Sequence, residues 1–327
     1  MRQVGIVGVG YSVPEQILTN QDLEKIVDTS DEWIISRTGI RERRKVAAEE
    51  ATSDLASRAA LQALKDADVS PEEVDLIILG TATPDMSFPS TACIVQDNIK
   101  AVNAAAFDLS AGCTGFVYAL NVGQQFVATG QYKTALVIGA DCISRILDWE
   151  DRNTCVLFGD GAGAAVLKAV DEGGFLAFEL GAEGSGGYHL RLPAGGSKKP
   201  ASLETVEQKE HFVHMDGSDV FKFAVRAMSD STQRTLENAG LTADDIDVLI
   251  PHQANLRIID AAIKRLKIDP AKVVVNLDRY GNMSSGSIPV ALAEEVQAGR
   301  IKKGDKIVMV GFGAGLTFGS CALEWSK

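Results

Sequence analysis

The chain has 327 residues, 46% apolar and 23% charged, with a formal net charge of −12. That length and composition suit two packed half-domains and point away from long disordered stretches. The negative charge argues against non-specific nucleic-acid binding, and no run of about 18 apolar residues offers a membrane span. Five cysteines (Cys93, Cys113, Cys142, Cys155, Cys321) form no CxxC pair. An odd number without metal spacing reads as free thiols in a reducing, cytoplasmic compartment.

In chain order, MRQVGIVGVG reads as a β-strand rather than a signal peptide. A repeated unit follows. ALKDADVSPEEVDLIILG resembles TLENAGLTADDIDVLIPH, with Leu64, Ala67, Asp75 and Ile78 recurring as Leu236, Ala239, Asp247 and Ile250 at an offset of 172 (236 − 64). The same offset maps Ala119-Leu120 onto Ala291-Leu292 and Gly139 onto Gly311. In each copy a helix ends near Asp68 or Gly240 and a short helix is capped by Ser70 or Thr242, whose hydroxyl can satisfy an orphan amide. A buried strand comes next (VDLIILG, IDVLI), then a helix (115–129, 288–298), then another buried strand (TALVIGA, DKIVMVGFG). Alternating strands and helices imply an α/β fold with helical layers on the sheets. The two halves, 1–172 and 173–327, are expected to meet about a pseudo-two-fold axis, with a site between them. The polar, Gly-rich stretch from Gly184 to Met215 is expected to cross the surface and help shape that site.

Glycine-rich pieces raise the question of dinucleotide binding. GIVGVGYSVP lacks the third glycine, and GFGAGLTFG fails the spacing. FGDGAGAAVL fits GxGxxA at Gly159, Gly161 and Ala164 but runs into a β-like segment, where the motif needs a helix N-terminus for the phosphate.

Cys113 stands between a strand-like AAAFDLS and a helical pattern, among the small residues Ala111, Gly112, Thr114 and Gly115. Small neighbours suit a sharp elbow, and a helix N-terminus is expected to lower a thiol pKa toward the nucleophilic range. Taken alone, the cysteine is equally a small buried core thiol. Of four histidines, His189, His211 and His214 lie in the loop-rich stretch without a motif, whereas His252 ends the strand IDVLI in PHQANLRI. Asn282 lies in the Gly/Ser loop of DRYGNMSSGS. Under the 172 offset Cys113 corresponds to Ser285 and His252 to Gly80, which puts Cys113, His252 and Asn282 on related strand-end loops.

Together AGCTGF, PHQANLR, DRYGNMSSGS and GFGAGLTFG, with DEWIISRTGIRERR and SFPSTAC, resemble β-ketoacyl-acyl-carrier-protein synthase III over essentially the whole chain. The resemblance implies a thiolase fold, a duplicated five-layered α-β-α-β-α arrangement, as a homodimer without metal or redox cofactor. It implies decarboxylative condensation of an acyl-coenzyme A primer, acetyl-coenzyme A above all, with malonyl-acyl carrier protein. Cys113 would carry the acyl group, His252 and Asn282 would hold the enolate, and the amides of Cys113 and the Gly313-Ala314-Gly315 loop would form an oxyanion hole. Trp33, Arg37 and Arg152 match positions that hold the adenine and phosphate end of coenzyme A. Phe221, Ala254 and Asn255 match the pantetheine tunnel, and Phe88 a residue that crosses to the partner's acyl pocket. Arg257, Lys264 and Arg265, with Lys222, would meet the acidic carrier protein. Trp33 as core and the arginines as solvated surface remain the plain alternatives. The residues do not separate this activity from a thiolase-fold enzyme of secondary metabolism with another acceptor. The intact triad argues against a non-catalytic binding subunit.

Overall fold

The structure, a computed structural model, describes residues 1–327. Its first sheet places the strands Val4–Ser12, Asp160–Ala169, Thr134–Cys142, Leu76–Gly80 and Ala105–Leu109 side by side. Leu76–Gly80 runs parallel to both its neighbours, and the Asp160–Ala169 strand pairs antiparallel on each side. The second sheet orders Val248–Pro251, Lys306–Gly313, Thr317–Glu324 and Gly174–Ala182. Only Val248–Pro251 and Lys306–Gly313 are parallel there.

Helices Gly115–Ala128 and Ser287–Gln297 lie between the two sheets and touch both. The first of them reads GFVYALNVGQQFVA, apolar on most sides, as a helix sandwiched between layers must be. Thr52–Ala67 covers the outer face of the first sheet, and Gly217–Ala239 that of the second. Five layers result, α-β-α-β-α. One core cluster joins both sheets to the central helices, and two others lie under the outer helices. No helix is long and apolar enough to cross a membrane.

The repeat read in the sequence is visible element by element. The outer helices end at Ala67 and Ala239, each closed by a left-handed residue, Asp68 or Gly240. The short helices Pro71–Glu73 and Ala243–Asp245 each begin with a capping box. In these, Ser70 N donates to Glu73 Oε2 at 2.9 Å and Thr242 N to Asp245 Oδ2 at 2.8 Å. Two 3-10 turns, Gly112–Thr114 and Ser284–Gly286, precede the central helices at the same offset. The halves diverge at the fifth strand: the counterpart of Ala105–Leu109 is reduced to a bridge between Val273 and Leu249. The GxGxxA match at Gly159 leads into the strand Asp160–Ala169, so no helix N-terminus faces it.

Candidate active site

Cys113 sits in the turn Gly112–Thr114. Gly112 makes the elbow possible: its φ is +54°, and a Cβ there would strike the Ala314 backbone. The hydroxyls of Thr114 and Thr317 lie 2.8 Å apart and reach the Ala111 carbonyl at 2.6 and 2.8 Å, which pins the elbow to the C-terminal hairpin. Gly313 comes so close that a Cβ on it would overlap the Cys113 amide nitrogen. The next amide, Ala314 N–H, has no acceptor in the protein.

His252 follows the strand Val248–Pro251, and its amide donates to Val310 O at 2.7 Å. Gln253 braces this corner. Its Nε2 donates to Pro251 O and Val274 O at 2.8 and 3.0 Å, and its Oε1 accepts from Asn276 N at 3.0 Å. Phe312 meets the imidazole edge-on at 5.4 Å. The His252 ring is buried, yet neither Nδ1 nor Nε2 has a hydrogen-bond partner. Such orphans are rare in folded proteins. Burial lowers the His252 pKa to about 3, so the ring is neutral.

Asn282 is held by its backbone: its amide donates to Leu157 O and its carbonyl accepts from Gly159 N, both at 2.9 Å. Its Oδ1 accepts from Ser284 N at 2.8 Å, which leaves Nδ2 as the group free to donate outward.

All three side chains line one cavity of about 1040 Å³. Trp33, Arg37, Phe221, Lys222, Ala254, Asn255, Arg257 and Gly313 line it as well. Cys113, His252 and Asn282 are buried, whereas Arg37, Lys222 and Arg257 are exposed, so the cavity runs inward from a basic rim.

Two models of 3-oxoacyl-[acyl-carrier-protein] synthase III match the chain, the general one over residues 107–184 and the C-terminal one over residues 236–325. Beta-ketoacyl-[acyl-carrier-protein] synthase III of Desulfitobacterium hafniense is 59% identical, covering 100% of this chain and 99% of that protein. The chain belongs to the β-ketoacyl-acyl-carrier-protein synthase III family. The solved 3-oxoacyl-[acyl-carrier-protein] synthase III of Aquifex aeolicus superposes with a TM-score of 0.91 at 47% identity, over 98% of this chain and 100% of that one. A priming β-ketosynthase from the R1128 polyketide pathway gives 0.93 at 34% identity, over 100% of this chain and 97% of that one. The five layers are thus the thiolase fold of synthase III enzymes.

Arg152, Phe88 and Ala314 lie elsewhere than on the cavity wall. Arg152 stacks over Trp33 at 5.1 Å and donates to Asp28 O at 2.8 Å, beside the rim. Phe88 is 84% exposed and does not line its own chain's cavity. Ala314, next to Gly313 in the chain, does not line it either. Asn255 doubles as a helix cap, with Oδ1 accepting from Arg257 N at 2.9 Å and Nδ2 donating to Arg37 O at 3.1 Å.

Two of the four basic residues expected to meet the carrier protein are ion-paired within the chain. Arg257 and Lys264 are exposed, but Arg265 pairs with Asp230 at 2.7 Å and Lys222 faces Asp219 at 3.4 Å. The cysteine also corrects an expectation. Burial pushes the Cys113 thiol up to about 12. Residues beyond the sulfur's own helix enclose it, and the cost of desolvating a thiolate exceeds the pull of one helix end.

Sequence reasoning passed over His189, Arg191 and His214, which line the cavity from the 184–215 segment. They sit in no motif, so nothing local marked them. It also passed over Ser284, for which the repeat held a signal: Ser284 is the counterpart of Gly112.

Proposed function

We propose that this chain condenses an acyl-coenzyme A primer, acetyl-coenzyme A foremost, with malonyl-acyl carrier protein, releasing coenzyme A and carbon dioxide and initiating fatty acid synthesis. The observation that carries the site assignment is the convergence, in one cavity, of a thiol, a neutral imidazole with no protein partner and an outward-facing carboxamide.

Cys113 attacks the thioester carbonyl. The new S–C bond replaces the bond to coenzyme A, which departs with the thiol proton, and one hard reaction becomes two easier ones. The carbonyl oxygen takes its charge toward the Cys113 and Ala314 amides. The malonyl thioester then enters and loses carbon dioxide, leaving an enolate. His252 and Asn282 donate to that oxygen, and a preorganised donor of this kind is worth about 3–4 kcal/mol in the transition state. A neutral His252 suits the role, since it donates without adding a fixed charge to the resting site. The carbanion attacks acyl-Cys113 and displaces its thiolate. Each step is acyl transfer, proton transfer or decarboxylation, so the scheme draws on no metal or redox cofactor. Trp33, Arg37 and Arg152 would hold the nucleotide end of coenzyme A at the rim, with Phe221, Ala254 and Asn255 along the pantetheine arm. A cytoplasmic homodimer, with Phe88 closing the partner's acyl pocket, completes the reading.

The test is intact-protein mass after mixing with acetyl-, isobutyryl- and octanoyl-coenzyme A, alongside Cys113→Ala. A single adduct absent from the variant supports acyl-Cys113 and ranks the primers. No adduct with any donor removes the acylation step and the reading with it.

A further inference from the structure

Arg43, in the strand Glu42–Arg44, is 1% exposed. A buried charge is costly and is ordinarily paired with an opposite one. Here the partners are neutral oxygens. Nη1 donates to Asn20 Oδ1 at 2.8 Å and to Leu18 O at 3.1 Å, and Nη2 donates to Val156 O at 2.8 Å. Nε has no partner. Burial lowers the Arg43 pKa to about 10, so the group is still charged at neutral pH. Arg43 does not line the cavity, but Val156, Leu157 and Phe158 do. Leu157 O and Gly159 N are the two groups that clamp the Asn282 backbone, each at 2.9 Å. A Cβ on Gly159 or on Gly281 would lie 3.1 Å from Arg43 Cβ, so the Arg43 stem sits against both strands of that clamp. Its head holds the carbonyl of Val156, one residue before the clamp begins. At the other end Asn20 is itself fixed, its Nδ2 donating to Asp31 Oδ1 at 2.8 Å and to Ile40 O at 2.9 Å.

We propose that Arg43 is a positioning residue for the condensation step: its guanidinium bridges Asn20 Oδ1 and Val156 O, and so fixes the 157–159 segment that aims the Asn282 carboxamide at the enolate oxygen. A guanidinium suits this task. Its two terminal nitrogens are separate donors held in one plane, so they span two fixed acceptors at once. A lysine ammonium is a single point on a flexible stem and holds no such bridge in one geometry. Cys113 reaches the cavity from another element, the turn Gly112–Thr114, which Thr114 and Thr317 pin. A disturbance at Arg43 therefore falls on the enolate donor and not on the nucleophile. Arg43 exchanges no proton in the reaction and touches no substrate; it acts through Asn282.

This inference rests on Asn282 serving the enolate, and one arm of its test needs no substrate, so the two can fail separately. In the full-length protein, Arg43→Lys and Arg43→Met would be compared with the parent by amide hydrogen exchange and by kinetics. Exchange should quicken in the peptides that carry Gly159 and Asn282 and keep the parent's rate in those that carry Cys113 and His252. In both variants kcat for condensation with malonyl-carrier protein should fall about tenfold, because a slightly misplaced group is costly, while acetyl transfer to Cys113 stays within about twofold. Unchanged exchange at Gly159 and Asn282 would overturn the proposal. So would equal loss of acylation and condensation, or quickened exchange along the whole chain, since either pattern belongs to general destabilisation. Normal condensation by Arg43→Lys would overturn it too, because charge would then suffice without the bridge. The expected exchange pattern in a protein whose parent shows no condensation would retain the bridge and remove the reading of the activity.

Discussion

The turn Gly112–Thr114 presents Cys113 to a cavity, while 172 positions later the turn Ser284–Gly286 presents Ser285 to protein alone. Ser285 Oγ reaches Gly80 O at 2.8 Å and Asp141 Oδ2 at 2.6 Å, and its amide donates to the same carboxylate oxygen at 3.0 Å. The repeat pairs Asp141 with Gly313 and Gly80 with His252. The N-terminal half ends a central strand with a carboxylate that fills the space beside the other half's elbow, at Ser285, whereas the C-terminal half ends its strand with a glycine that leaves Cys113 room. Where one half offers a backbone carbonyl, the other adds an imidazole. Both elbows share backbone, helix and register, so the frame supplies position, and a few side chains decide whether that position becomes packing or chemistry.

The comparison breaks most sharply at Gly313. A Cβ there overlaps the Cys113 amide, so Gly313→Ala should slow acylation by at least about 100-fold through a displaced oxyanion hole. Stopped-flow release of coenzyme A measures it, and near-normal release would show that the close approach is dispensable. Next are the donors unique to the active elbow. His252→Ala and Asn282→Ala should each lower malonyl-carrier-protein decarboxylation by about 10²–10³, while the Cys113 acyl adduct still forms. Equal loss of both activities would place these residues in general folding.

On the silent side, Asp141 accepts from Thr81, Ala82, Thr83 and Ser285. Asp141→Ala orphans these buried donors and should cost at least about 3 kcal/mol of stability in urea unfolding. A loss below about 1 kcal/mol would mean that the silent elbow is not held by its carboxylate.

The effect of pH is smaller and has a definite sign. Burial lowers the His252 pKa from 6.5 to about 3. Between those values the unfolded chain binds a proton that the native chain refuses, so this residue's contribution makes stability fall as pH drops from about 6.5 toward 3. His252→Gln should flatten that part of the stability profile. Decarboxylation by Cys113→Ala should show no inflection near pH 6.5; one there would mean that the imidazole titrates normally. The smallest effect is expected at the rim. Arg257→Glu should raise the KM for malonyl-carrier protein by about fivefold at low salt and leave acylation by acetyl-coenzyme A unchanged. Unaltered kinetics with the carrier protein would move its docking surface elsewhere.

The repeat made much of the fold legible before any coordinates. Helix ends at Asp68 and Gly240, both capping boxes and the paired buried strands follow from local patterns, and those patterns recur. Of the three candidate residues, Cys113 and His252 lie where a strand hands over to a helix, as expected, but Asn282 follows the short helix Leu277–Tyr280 and not a strand, held by a bridge to Phe158. The rim was less legible, because Arg265 meets Asp230 from another helix and His189 and His214 reach the cavity from a long excursion.

What the amino-acid sequence by itself determined here is the set of elements, their duplication and the candidate reacting groups, because capping, periodicity and motif spacing act over a few neighbouring residues. Only the tertiary structure decided how those groups behave. Local position favours a thiolate at Cys113, but burial opposes it. Burial likewise keeps His252 neutral. Desolvation and hydrogen bonding depend on what packs against an atom in space, and here Phe312 packs on His252 from 60 residues away (312 − 252) and Gly313 closes on Cys113 from 200 away (313 − 113).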